Sequence, residues 1–212
     1  MSQTKAQLIA VDATFTLSND ATINSITVGK GANSVQGNTA LGENALDGSV
    51  TGINNTAVGS NTLTTNTSGQ RGVAVGVSAL RLNTTGTDNV AVGVSALDNN
   101  TTGSQNTALG RFTLGVNTTA SNNTAVGYFA LSANTTGADN TAVGSGALDA
   151  NTTGQYNTAV GRDALGANIT GTHNTAVGYN SLDANTTGTF NAALGLGTLG
   201  TNTTGQQNTA IG

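Results

Sequence analysis

The chain has no cysteine, proline or tryptophan, and one methionine among 212 residues. Without cysteine it forms neither a disulfide nor a thiolate metal site, and its redox compartment is left open. Charged residues make up 8% and aromatic residues 3%. So little charge argues against ordinary disorder, which combines high net charge with low hydrophobicity. The formal net charge of −4 disfavours nucleic acid and anionic membranes as partners, since both recruit Lys and Arg. No apolar run is long enough for a signal-peptide core or a bilayer span. Membrane insertion is therefore not expected, and the reading favours synthesis in the cytoplasm with release by another route. His173 is the single histidine, which disfavours a His-based triad or a multi-His metal centre.

What the chain has instead is repetition. The phrase Asn-Thr-Ala-Val-Gly and its variants close on Gly42, Gly59, Gly76 and so on to Gly212, always 17 residues apart and without insertion or deletion. A shorter step of 13 residues separates Gly29 from Gly42. Ala stands two residues before every closing glycine, from Ala40 to Ala210, and an aliphatic residue one before. Four residues after each of the first ten closing glycines stands Leu, from Leu46 to Leu199. The remainder of the unit is most often Asn-Thr-Thr-Gly. This sequence also matches the glycosylation sequon, as at Asn83, Asn100 and Asn134, but Asn and Thr are turn formers and are read as such.

Gly and Asn recur too often for a helix interior, where Gly costs about 1 kcal/mol relative to Ala. The unit reads as strand, short extended piece and turn, with Asn and Gly of the turn supplying positive φ. A fixed period with this content predicts an all-β parallel β-solenoid, one 17-residue coil per repeat. Equivalent residues then stack in columns about 4.8 Å apart, and eleven rungs make a rod on the order of 50 Å long. Columns such as Asn140, Asn157 and Asn174 are expected to form amide ladders.

Alternation along the strand puts Thr and Val on one face and Asn, Ala and Gly on the other. Thr gives way to Val73, Val90 and Ala192 in three copies, so the Thr/Val face is read as the inside. The invariant Ala face is then read as packing against something outside the coil. One Val-like residue and one Leu per rung make a thin core, which argues for burial of a second face against sister chains. The expectation is a homo-oligomer, with three chains around one axis.

At "NTAVGxxALxxNTTG" the chain resembles two related groups: the head repeats of trimeric autotransporter adhesins (YadA-like) and phage tail-fibre and endosialidase-chaperone proteins. The resemblance covers residues 26–212. It implies a left-handed parallel β-roll with inward Val and Leu, assembled as a homotrimer, although the 17-residue period is longer than the adhesin repeat. Residues 1–25 are read as an attachment or capping segment, resembling the start of phage fibre proteins, and 26–212 as the solenoid domain. The array stops in mid-repeat at "NTAIG", which leaves a sheet edge for a tip domain, a chaperone or another chain to cover.

Enzyme chemistry finds little support. Asp98 and Asp149 hold equivalent coil positions three rungs apart, about 14 Å at the strand spacing, too far for a catalytic carboxylate pair. No enzyme activity, cofactor or metal is expected. The functional hint lies in surface aromatics. Tyr156, His173 and Phe190 share one variable column on successive rungs, and Phe112 and Phe129 share another with Tyr128 alongside. Rings on a polar rod suit contact with a host-surface glycan or protein.

The leading expectation is a structural shaft of a phage tail fibre or spike, located on the virion and joined to other virion or tail proteins at its N-terminal end. The alternative is a trimeric adhesin head on a bacterial surface. A third class, an ice-binding solenoid, is disfavoured because Thr84 and Thr85 are adjacent and cannot share one strand face.

Overall fold

The computed structural model describes residues 21–23, 26–48 and 50–212. Most of the segment read as an attachment or capping piece, 1–20 with 24 and 25, lies outside the described residues. Its described part is strand β1 (Ala21–Ile23), which pairs antiparallel with β2 (Ile26–Gly29). Strand β2 in turn pairs antiparallel with β3 (Thr39–Gly42), setting Val28 opposite Leu41. The 13-residue step is therefore a hairpin that leads into the coils.

From β3 onward every pairing is parallel. The strands are β4 (Thr56–Val58), β5 (Val73–Val75), β6 (Val90–Val92), β7 (Thr107–Leu109), β8 (Thr124–Val126), β9 (Thr141–Val143), β10 (Thr158–Val160), β11 (Thr175–Val177), β12 (Ala192–Leu194) and β13 (Thr209–Ile211). They lie in chain order in one sheet. Register is kept by the period: Thr141 pairs with Thr158, Ala142 with Ala159, Val143 with Val160. The chain is thus an all-β parallel β-solenoid of 17-residue coils.

One coil, 145–161, explains the rest. Ala147, Leu148, Asn151, Gly154, Asn157 and Ala159 are all buried. Ala159 is fully enclosed and its neighbours Thr158 and Val160 are not. This reverses the expected orientation of the strand. Alternation separates Thr and Val from Ala as predicted, but the Ala column faces the core and Thr and Val face outward. The inside of so short a coil must hold a leucine and two asparagine side chains besides, so the strand can present only a methyl group there. Val inward, as the family resemblance implied, is therefore corrected, while Leu inward is found at the leucine four residues after each closing glycine, from Leu46 to Leu182.

The leucine segment is a turn rather than an extended piece. Leu148 has φ 52°, and its equivalents from Leu46 to Leu199 lie between 48° and 52°. A left-handed conformation costs a residue with a Cβ roughly 1–2 kcal/mol. It persists because the conformation aims the leucine inward while its N–H reaches the next coil, as from Leu148 to the Ala164 carbonyl at 3.0 Å. Two further positive-φ residues, Gly146 and Tyr156, bend the same coil, and Gly161 closes it at φ 137°. The glycine of Asn-Thr-Thr-Gly was expected to supply positive φ and does not; its role is steric. A Cβ on Gly137 would press into the carbonyl of Gly154 in the next coil and the amide of Asn134.

The buried asparagines form two amide ladders. In the first, Asn151 Nδ2 donates to Asn134 Oδ1 at 2.9 Å and to the Gly154 carbonyl at 3.1 Å. In the second, Asn140 Oδ1 accepts from the Asn157 backbone N–H at 3.0 Å and from its Nδ2 at 3.2 Å, while that Nδ2 also reaches the Gly171 carbonyl at 2.8 Å. Buried amides satisfied this completely stabilise the stack and fix its register, since a slip would orphan every one of them.

Candidate functional surfaces

Three surface features stand apart from the repeated polar turns. The first is the outer face of the parallel sheet. It carries two columns, one mostly Thr (Thr141, Thr158, Thr175) and one Val, Leu or Ile (Val143, Val160, Val177). From β3 to β13 neither column contains a charged residue. The aliphatic column is half-buried to exposed throughout; Val143 is 36% exposed, Leu194 49% and Ile211 78%. Sequence reasoning missed this face because it had assigned Thr and Val to the interior.

The second is the ring column of Tyr156, His173 and Phe190. Each ring projects from a residue at φ 57–59°. Each backbone N–H donates to the coil before, as from His173 to the Gln155 carbonyl at 3.1 Å. Tyr156 and His173 stack with centroids 4.8 Å apart, His173 and Phe190 at 4.7 Å with planes only 17° apart. The coil spacing matches the aromatic stacking distance, so one ring per coil makes a continuous pile. The inner ring faces are thereby occupied by other rings. The pile offers its edges and end faces to solvent, a poorer platform for stacking than the sequence implies.

The third is the cluster around Phe112 and Phe129. Their centroids are 5.2 Å apart with planes tilted by 42°. Tyr128 meets Phe129 edge-on at 4.4 Å, and the Arg111 guanidinium lies 4.5 Å from the Phe112 centroid. Beside these rings is an open groove of about 450 Å³ bordered by Ser95, Asp98, Asn99, Gly115 and Ser132. The sequence placed the two phenylalanines in one column, but gave no sign of the groove. A second exposed cation–π pair, Arg162 over Tyr179 at 5.6 Å, also went unread.

Two ion pairs run along the stack, and a third joins the chain neighbours Arg162 and Asp163. Arg71 donates to Asp88 at 2.6 and 2.8 Å, and Arg81 to Asp98 at 2.7 Å, each across one coil. The Arg71 hydrogen bond holds the Asp88 carboxyl below its ordinary range. Burial pushes the Asp149 carboxyl up, with the negative charge of Asp163 adding to the shift. Asp98 is engaged by arginine and Asp149 lies three coils away, so the structure does not bring the two together. Among the described residues no group of three or more His, Cys, Asp or Glu side chains could hold a metal ion, and no helix is long and apolar enough to cross a membrane.

Comparison with known proteins finds no matching family model, no matching curated protein and no matching solved structure.

Proposed function

We propose that this chain is the shaft of a phage tail fibre or spike: a left-handed coil assembled as a homotrimer, joined to other virion proteins at its N-terminal end and supporting contact with the host surface. The single observation that carries the reading is the sheet face of Thr and Val columns, uncharged over eleven successive strands and lined with exposed aliphatic side chains. A face of this kind marks an interaction surface. Its uniform register suits an identical neighbour, because columns of the same spacing meet coil for coil. Three copies turned toward one axis would cover the one sheet that each possesses. The alanines, first expected to make this contact, already fill the interior, so the valines and leucines take that role. The amide ladders supply the stiffness such a shaft needs. A trimeric adhesin head on a bacterial surface would use the same rod with a different anchorage.

The test is the mass of the purified full chain by light scattering, with its outline by negative-stain imaging. Three times 20.8 kDa and a narrow rod are expected. Replacing Val143 and Val160 by lysine is expected to release single chains whose circular dichroism stays β-rich. A single-chain mass for the unaltered protein removes the reading.

A second reading competes for the same face. Thr84 and Thr85, which argued against ice binding, lie in turns outside the sheet. The sheet itself presents Thr hydroxyls and Val methyls two residues apart, repeated at each coil. Such an array could order water in a lattice, although Val73, Val90 and Ala192 interrupt its Thr column. Thermal hysteresis by a single-chain species would favour this reading over the shaft.

A further inference from the structure

The groove beside Phe112 and Phe129 originates in one missing side chain. Its lining comes from the same corner of three successive coils, 94–110, 111–127 and 128–144. At the coil position of Gly115, seven other coils carry a side chain, Arg81, Asp98, Ser132 and Asp149 among them; glycine recurs at Gly166 and Gly200, but with no phenylalanine in the neighbouring column. Gly115 leaves a notch between Asp98 on one side and Ser132 on the other. Its conformation does not require glycine: its φ lies outside the left-handed range, and an added Cβ would come no nearer than 3.3 Å to the Phe112 carbonyl oxygen and 3.6 Å to that of Ser95. The gap is therefore open by composition, and the backbone would accept a side chain there.

What lines the notch is chemically mixed in a particular way. One wall is the pair of tilted phenyl rings. The rim carries a carboxylate, an amide and two hydroxyls, those of Asp98, Asn99, Ser95 and Ser132. Arg81 Nε donates to Asp98 Oδ1 at 2.7 Å, while Nη2 reaches Oδ2 only at 3.4 Å. The carboxylate is thus held in place and its charge offset, with acceptor capacity remaining at Oδ2. Asn99 Nδ2 donates to the Gly115 carbonyl at 3.0 Å, which fixes the orientation of the amide. The volume falls within the range of about 300–1,000 Å³ typical of small-molecule sites, which combine apolar walls with a few placed polar groups.

We propose that this groove binds one neutral pyranose unit of a glycan. A pyranose has an apolar C–H face that packs on an aromatic ring and an equatorial belt of hydroxyls that donate to carboxylate and amide oxygens and accept from serine. The groove spans three coils, about 10 Å at the strand spacing, which suits a single ring. An anionic sugar would meet Asp98, and an acyl chain would leave the polar rim unpaired. The ring pile of Tyr156, His173 and Phe190 lacks this combination, because its faces are already stacked. The inference deepens the host-contact part of the proposed function by naming a place and a ligand chemistry. It does not need the trimer: no lining residue named here lies on the outer sheet face, so the two proposals can fail separately.

The test labels the full-length protein with fluorinated phenylalanine, which gives four sites. Methyl glycosides of glucose, galactose, mannose and N-acetylglucosamine are the probes. At least one is expected to shift the Phe112 and Phe129 resonances saturably, with a dissociation constant on the order of 1 mM, leaving Phe190 unmoved. Gly115→Arg places in the notch a side chain that Arg81 shows the coil position accepts, and is expected to weaken that binding at least tenfold. Ala133→Leu, in the coil position where Leu82 stands, narrows the groove from the other side and gives the same result should the first variant fold poorly. An intact Phe190 resonance reports the coil in each variant. Absence of a saturable shift at Phe112 and Phe129 with all four sugars overturns the proposal, as does binding unchanged in correctly folded filled variants.

Discussion

Asn151 donates its amide to Asn134 one coil back at 2.9 Å and accepts from Asn168 one coil on at 2.8 Å. Each amide between the two ends of the column, Asn66 and Asn202, is therefore donor and acceptor at once, and none of these can be removed without leaving two others incomplete.

Asn151→Ala is expected to destabilise the rod on the order of 3 kcal/mol, because it strands the Asn134 oxygen and one Asn168 proton in the core, while the Gly154 carbonyl keeps the Asn140 amide as its donor. Thr153→Ala, on the exposed turn of the same coil, should stay within about 0.5 kcal/mol. Urea unfolding of the two variants side by side checks the contrast, and equal losses would count against the ladder as a source of stability.

The second amide column has a gap. Gly72 stands where ten other coils carry asparagine. Its N–H donates to Asn55 Oδ1 at 2.8 Å, as an asparagine's would, but it has no amide to offer Asn89. Its φ lies outside the left-handed range, and the nearest atom to an added Cβ is that same Asn55 oxygen at 3.1 Å, the end of a side chain. Gly72→Asn is expected to raise stability by about 1 kcal/mol, from restored hydrogen bonds and a less flexible unfolded chain. A higher thermal midpoint is the readout.

Ala120 occupies the buried turn position that other coils give to glycine. Gly137→Ala, one coil on, forces a methyl group toward the Gly154 carbonyl and is expected to cost about 1–3 kcal/mol through overpacking. Ala120→Gly removes the one methyl already there and is expected to cost much less. Paired denaturation curves of the two single variants decide between them.

Acid affects two carboxyls in opposite directions. The Asp88 carboxyl is lowered by its Arg71 partner, so its contribution is present above the unfolded-state pKa and disappears as pH falls through the lower folded value. The Asp149 carboxyl is raised by burial, so it destabilises the fold above its folded pKa and the penalty is relieved as pH falls through that value. Asp149→Asn is therefore expected to stabilise the protein at neutral pH and to lose that advantage on acidification. Stability curves measured from pH 7 down to pH 3 check the sign. In the same range, Arg71→Gln should bring the Asp88 carboxyl back toward its ordinary titration, visible by NMR.

The 17-residue spacing of glycines is legible as a coil because an unbroken period leaves no other architecture for so many turn residues, and the buried Leu and Asn columns follow from it. Which strand face is inside was not legible. Thr158 and Val160 alternate with Ala159 in either orientation, and larger apolar residues normally mark the core. The deciding signal was the parity of Asn157, which shares the alanine's side and needs buried carbonyls for its amide. The left-handed backbone of Leu148 was hidden because propensity argues against it, and only stacking with neighbouring coils overrides that cost. The column of Tyr156, His173 and Phe190 could be placed from equal coil positions, but not the mutual covering of the ring faces. The groove at Gly115 depends on a glycine meeting a pair of phenylalanines in the same and the next coil, a coincidence that Gly166 and Gly200 at the same coil position do not share and that no repeat-wide pattern reveals.

The break at Gly72 has a mechanical meaning as well. Tension along the axis is shared evenly by coils whose amides clasp both neighbours. The step from Asn55 through Gly72 to Asn89 lacks one of those clasps. A molecule pulled from its two ends is expected to yield there first, so the solenoid carries a built-in failure point between two particular coils instead of tearing at random.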